Sequence, residues 1–194
     1  MENIPKQHVG KSLDYNRQII CTSEDEAIGK FKQITKDLLN VNDWKSLAHG
    51  ISGEFKILNS DGAVVERGLV ENDFIRIDIP GPGMPSAEGY DWVQVSKLIE
   101  EQDVGYEKLL LTIHPIPSPL NNLNDVAHFF KEYASSSFLI ERRMNQISLH
   151  YAGRNEEINI ENSKLLDNVR NIVVGLMAKL GASYPQWKAI IDGL

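Results

Sequence analysis

Apolar and polar positions alternate on either side of one rigid loop. Asp73-Phe74-Ile75-Arg76-Ile77-Asp78-Ile79 puts Ile75, Ile77 and Ile79 on one side of a strand and Phe74, Arg76 and Asp78 on the other. Pro80, Pro82 and Pro85 follow, interleaved with Gly81, Gly83 and Gly89, and a second alternating run extends from Tyr90 to Val95. The stretch predicts a strand, a stiff loop and a second strand. The same period of two holds from Glu54 to Ile113. It predicts strands over 54–58, 63–67, 73–79, 90–96 and 108–114, with Asn59-Ser60-Asp61-Gly62 as a hairpin connection between the first two. Leu109-Leu110-Leu111 is apolar on both faces, which places its strand centrally in a sheet. Leu98 to Asp103 is too short to assign.

Upstream, the period is that of a helix. Ser23-Glu24-Asp25-Glu26 has capping-box spacing, and Ile28, Phe31, Ile34, Leu38 and Leu39 form one stripe, which predicts an amphipathic helix over 24–40. Residues 1–22 are mostly polar and are expected to be only partly ordered. His114-Pro115-Ile116-Pro117-Ser118-Pro119 lacks amide donors at alternate positions and reads as an extended connector, with a possible subdomain break near 115–122. A short helix is expected over 123–133, with Val126, Phe129, Phe130 and Tyr133 inward.

A second hairpin centres on Met144-Asn145. Its register opposes Phe138 to Tyr151, Ile140 to Leu149 and Arg142 to Ile147, and it gathers Phe138, Ile140, Ile147, Leu149 and Tyr151 on one face. Gly153-Arg154-Asn155-Glu156-Glu157 leads away as a polar turn. A long helix over 164–180 follows, stopped by Gly181, and Ser183-Tyr184-Pro185-Gln186 opens a last helix carrying Trp187, Ile190 and Ile191.

Composition narrows the class. The 194 residues suit a single globular domain, here residues 23–194, with 42% hydrophobic and 24% charged positions. A net charge of −7, with no basic block longer than Arg142-Arg143, argues against a nucleic-acid or anionic-membrane partner. Cys21 is the only cysteine and sits beside Ile19 and Ile20, so no intramolecular disulfide can form and a small buried hydrophobe is expected. No apolar run reaches the length of a membrane span, and the N-terminus has no apolar signal core. A cytoplasmic protein is expected.

Most tests for chemistry fail. Gly10-Lys11-Ser12 resembles the end of a phosphate loop, but Pro5 stands where the first glycine belongs. Gly81-Pro82-Gly83 begins a dinucleotide fingerprint, but Ser86 replaces the third glycine and the prolines remove the amides a pyrophosphate needs. The five histidines show no metal-ligand spacing, so neither a metal nor a cofactor is expected. Asp73, Asp78, Glu88 and Asp91 read as solvated strand-end carboxylates. Two features remain. Tyr90 and Trp92 share a face at the loop exit, as core or as the lining of a groove. Arg154-Asn155-Glu156 is either a polar turn or a forked donor beside an acceptor.

The fold expected is α+β: an antiparallel sheet or partial β-barrel packed by an N-terminal helix and a long C-terminal helix. The element order resembles helix-grip ligand-binding folds, and the central strands resemble SH3-like barrels. Neither likeness rests on a motif, and neither assigns a residue. Two functions are expected from different classes. The first is a non-catalytic binding or interaction module, for a protein or small-molecule ligand not identified by the sequence, using Tyr90 and Trp92. The second is a small-molecule enzyme that pairs His114 or His150 with a carboxylate such as Glu156.

Overall fold

A computed structural model of the chain describes residues 3–49, 53–78, 90–120, 130–157 and 185–194. Seven strands form one antiparallel sheet: β1 (Lys11–Ile20), β2 (Glu54–Leu58), β3 (Phe74–Asp78), β4 (Asp91–Asp103), β5 (Tyr106–Pro115), β6 (Ser135–Arg143) and β7 (Gln146–Glu156). Their order is β1-β7-β6-β5-β4-β3-β2, so the chain closes on itself through neighbouring hairpins except where β1 is carried to the far edge. The sheet is open, with β1 and β2 as its edges. The α+β class is as expected. The helix expected over 164–180 and the loop 80–89 lie outside the described residues.

Helix α1 (Glu24–Leu39) starts where the capping pattern places it. The Glu26 amide donates to Ser23 Oγ, while the Glu26 carboxylate accepts from the Thr22 amide at 2.8 Å and the Thr22 hydroxyl at 2.7 Å. The reciprocal bond therefore reaches one residue further back than a simple capping box. Ala27, Phe31, Ile34 and Leu38 are buried, and the helix packs on β6 and β7. A short helix α2 (Trp44–Leu47) then inserts Trp44, whose Nε1 donates to the Leu38 carbonyl at 2.9 Å. The Trp44 ring lies 5.2 Å from Phe55 of β2, 5.5 Å from Phe138 of β6 and 6.1 Å from Trp187 of the C-terminal helical stretch 185–193. These rings fix the inner face of the sheet.

Several expectations are corrected. Residues 11–20, read as partly ordered, are strand β1, paired with β7 from Lys11–Glu156 to Ile20–Gln146. Leu98–Asp103 continues β4, because β5 pairs it to the end of the arm at Asp103–Tyr106. Glu100 to Asp103 there are exposed on both sides, which erased the alternation. Residues 63–67 form no strand. Asn59 Oδ1 accepts from the Asp61 and Ala63 amides, Val64 makes a single bridge to Leu58, and Arg67 is drawn to Asp73 at 2.6 and 2.8 Å. Of the helix expected over 123–133, residues up to 129 lie outside the described residues, while Phe130 makes one bridge and 131–133 are not helical. The strands on both sides of 115–122 belong to the same sheet, since β5 pairs with β6.

The second hairpin takes the predicted register, Phe138–Tyr151, Ile140–Leu149 and Arg142–Ile147. That register turns Arg142 to the inner face, where it is 3% exposed. Its Nε donates to Glu107 at 2.5 Å, and its Nη1 donates to Glu24 at 3.1 Å and to the Met144 carbonyl at 2.8 Å. This network ties the start of α1 to β5 and β6. Arg142→Ala should cost about 3–5 kcal/mol in urea unfolding, because it leaves Glu107 buried without its partner. The double replacement Arg142→Met with Glu107→Leu should recover most of that loss.

Candidate functional site

The site begins with one extra residue. Lys11 opposes Glu156 and Leu13 opposes Gly153, so two residues of β7, Arg154 and Asn155, face only Ser12. Asn155 takes φ +55°, a left-handed conformation that asparagine tolerates. The bulge resets the alternation. Tyr151 and Gly153 point to the inner face, and Glu156 joins them there.

Gly153 leaves room for the carboxylate that follows it. A methyl group there would collide with Glu156 Oε1 and lie 3.2 Å from the Tyr151 hydroxyl. The Glu156 carboxylate thus fills the space over the glycine, with the Tyr151 hydroxyl beside it. The Tyr151 hydroxyl shares a 3.0 Å hydrogen bond with Ser136 Oγ. Its ring stacks on Trp187 at 5.7 Å and 19°, and meets Phe138 edge-on at 5.3 Å. Glu156 Oε1 is buried and has no hydrogen-bond partner among the described residues. Burial pushes the Glu156 carboxyl up to about 7, against the opposing pull of Lys11 and Arg154. Burial likewise pushes the Tyr151 phenol well above its ordinary range. Beside Ser136 and Trp187 lies a cavity of about 10 Å³, also lined by Val93, Ile113, Pro115 and Phe130, with room for about one water. The arrangement offers a carboxyl near its titration point and two hydroxyls in an aromatic wall.

The residues expected from sequence are scattered. Trp92 is 1% exposed and packs with Leu58, Phe74, Tyr90 and Ile116, so it lines no exposed groove. Tyr90 is half-buried, with the Arg76 guanidinium 4.4 Å above its ring. His114 Nδ1 lies 2.8 Å from the Ala134 carbonyl. His150 is on the outer face, its Nε2 2.8 Å from Asp14 Oδ1. Neither histidine is brought to Glu156, so the expected His–carboxylate pair is not formed by these residues.

Arg154 and Asn155 are not part of a local turn. Arg154 grips Asp14 across the strand pair with two bonds, at 2.7 and 3.0 Å. Burial raises the Asp14 carboxyl, but hydrogen bonds from Arg154 and His150 outweigh it and hold the group below its ordinary value. Asn155 anchors the segment before β1. Its Oδ1 accepts from the His8 amide at 2.7 Å and the Val9 amide at 3.2 Å, and its Nδ2 donates to the Lys6 carbonyl at 3.0 Å. Of the residues singled out in advance, Glu156 alone faces the inner site. Tyr151, Ser136 and Gly153 were missed as site residues. The available signal was a glycine followed two residues later by an asparagine inside an otherwise alternating run, which marks a bulge. Among the described residues, no group of three or more His, Cys, Asp or Glu side chains could hold a metal ion, and no helix is long and apolar enough to cross a membrane.

No family model matches the chain, and no curated protein matches it. Among solved structures it is similar to a hypothetical protein, jhp0584, from Helicobacter pylori. That likeness has 11% identity, 98% of this chain and 97% of that one covered, and a TM-score of 0.51. It shows a shared fold. Norcoclaurine synthase from Thalictrum flavum covers 97% of this chain and 96% of its own at 11% identity, with a TM-score of 0.33. Ara h 8.0201 covers 93% of this chain and 96% of its own, also at 11%, with a TM-score of 0.36. Scores that low bear on neither fold nor function here.

The carboxyl makes a signed prediction. Its folded value of about 7 stands above the ordinary 4.5, so the protonated form is favoured on folding. The stabilisation is full below about pH 4.5 and is lost as pH rises through 7. Glu156→Gln should therefore match the parent's stability near pH 5 and exceed it near pH 8, by about 1–2 kcal/mol once partial exposure to solvent is allowed for, with a higher Tm. Equal Tm values at both pH values would contradict this. Gly153→Ala should push the flexible Glu156 carboxyl towards solvent and bring its titration back towards the ordinary carboxylate range, read by NMR of the side chain.

Proposed function

We propose that this chain is a non-catalytic binding protein. It takes a small, largely apolar molecule with one polar group against the inner face of the sheet, at the end marked by Ser136, Tyr151 and Glu156. One observation carries the reading: a buried carboxyl oxygen with no hydrogen-bond partner among the described residues lies over Gly153, beside the Tyr151 hydroxyl. A polar group left unsatisfied in an apolar wall costs free energy, and a ligand that satisfies it recovers that cost. Trp187, buried and stacked on Tyr151, makes the wall beside these groups apolar.

The catalytic alternative loses its motivation. His150 is engaged by Asp14 and His114 by a backbone carbonyl, so neither of these two histidines pairs with Glu156. The surface around Tyr90 and Trp92 is set aside because Trp92 is buried. A cytoplasmic setting belongs to the proposal, supported by a single, buried cysteine.

The test is titration with N-phenyl-1-naphthylamine, a neutral apolar fluorophore with one N–H donor, whose entry requires Trp187 to move aside because the cavity beside it holds only about one water. Saturable uptake with one-to-one stoichiometry is expected, accompanied by quenching of tryptophan emission. Tyr151→Phe and Glu156→Gln should each weaken uptake by roughly 3–10-fold, as loss of one hydrogen-bond partner implies. Uptake that never saturates, or that both variants leave unchanged, would remove this site from consideration.

A further inference from the structure

The two edges of the sheet are treated differently. On β2 the outward backbone groups are occupied. The Ile57 amide donates to Asn42 Oδ1 at 3.1 Å, the Ile57 carbonyl accepts from the Val65 amide at 3.0 Å, and the Asn59 amide donates to the Ala63 carbonyl at 2.9 Å. The strand is only five residues long and is covered by its own following loop. This is how an edge is protected from pairing with another chain.

Strand β1 has no such protection among the described residues. It is ten residues long, contains no proline, and pairs on one side only, with β7. Two of its three charges are already used. Asp14 is held by Arg154 and His150, and Arg17 donates to the Ile191 and Asp192 carbonyls at 2.9 Å. Ile20, at the end of the strand, is 77% exposed.

From this asymmetry we infer that the free edge of β1 pairs with the same edge of a second copy, antiparallel about a two-fold axis through Asn16. The residue types select that register. Opposed residues must lie on the same face of a continuous sheet, so the axis falls on a residue and not between two. Centred on Asn16, the pairing sets Leu13 against Ile19 on the inner face. On the outer face it sets Asn16 against itself, Asp14 against Gln18 and Ser12 against Ile20. No like charges oppose, and the exposed Ile20 gains a neighbour. Centred on Tyr15, Leu13 would face Arg17 and Lys11 would face Ile19. A single strand seam buries less than a standard interface, so the association is weak, on the order of 10–100 µM.

Sedimentation equilibrium of the full chain between about 5 and 500 µM tests this. A monomer–dimer equilibrium is expected. Asn16→Lys should weaken it by at least about tenfold, since it places two like charges opposite each other. Circular dichroism should show that variant folded, because Asn16 is exposed. Asn16→Cys should cross-link to a covalent dimer under mild oxidation, as directly opposed strand residues lie within disulfide reach. Cys21 is buried and does not compete. A monomer at every concentration overturns the inference. A dimer that is indifferent to Asn16→Lys and does not cross-link through position 16 overturns it as well, since the contact then lies elsewhere.

Discussion

The curvature of the sheet depends on one indole. Phe55 and Phe138 sit on strands separated by three others, and in a flat sheet four strand spacings would part them by about 19 Å. Both rings nevertheless lie within 5.5 Å of Trp44. The sheet therefore wraps around the segment following α1, and its concave side is set by how far the strands must bend to reach that ring. Burial of five aromatic side chains at one point supplies much of the driving force for the wrap. Trp187 and Tyr151 complete the group, so the candidate site is a continuation of the core and not a separate feature.

The polar groups are placed by the same geometry. Arg142 stands at one end of the inner face, satisfied by Glu107, Glu24 and a carbonyl. Glu156 stands at the other end of the hairpin with one oxygen unsatisfied. Two ionisable groups on one apolar face thus have opposite circumstances. Full satisfaction marks the first as a structural tie. The missing partner of the second is what distinguishes a receptive group from a tie.

What the sequence disclosed follows from how locally each feature is determined. The helix at Glu24 and the hairpin at Met144 are specified by neighbours within a few residues, and both stand where the pattern put them. The far end of β4 was hidden because Glu100, Glu101 and Gln102 project beyond the core, so neither face needs to be apolar. Strand β1 was hidden because its polar residues have distant partners: Asp14 meets Arg154, and Arg17 meets the last helical turn. Glu156 was singled out for its neighbours Arg154 and Asn155, but a single bulge sends the three residues to different tasks. The Trp92 ambiguity could not be resolved by alternation, since both faces of β4 are covered at that point.

A bulge residue owes nothing to the ladder on either side of it. Asn155 uses that freedom to hold the backbone of Lys6, His8 and Val9, nearly the whole chain away in sequence. Strands before and after it keep their inward and outward faces, so such a residue can enter a gene as one inserted codon without disturbing what flanks it. At this position, the count of residues and not their kind joins the first segment of the chain to the wall that carries the carboxyl.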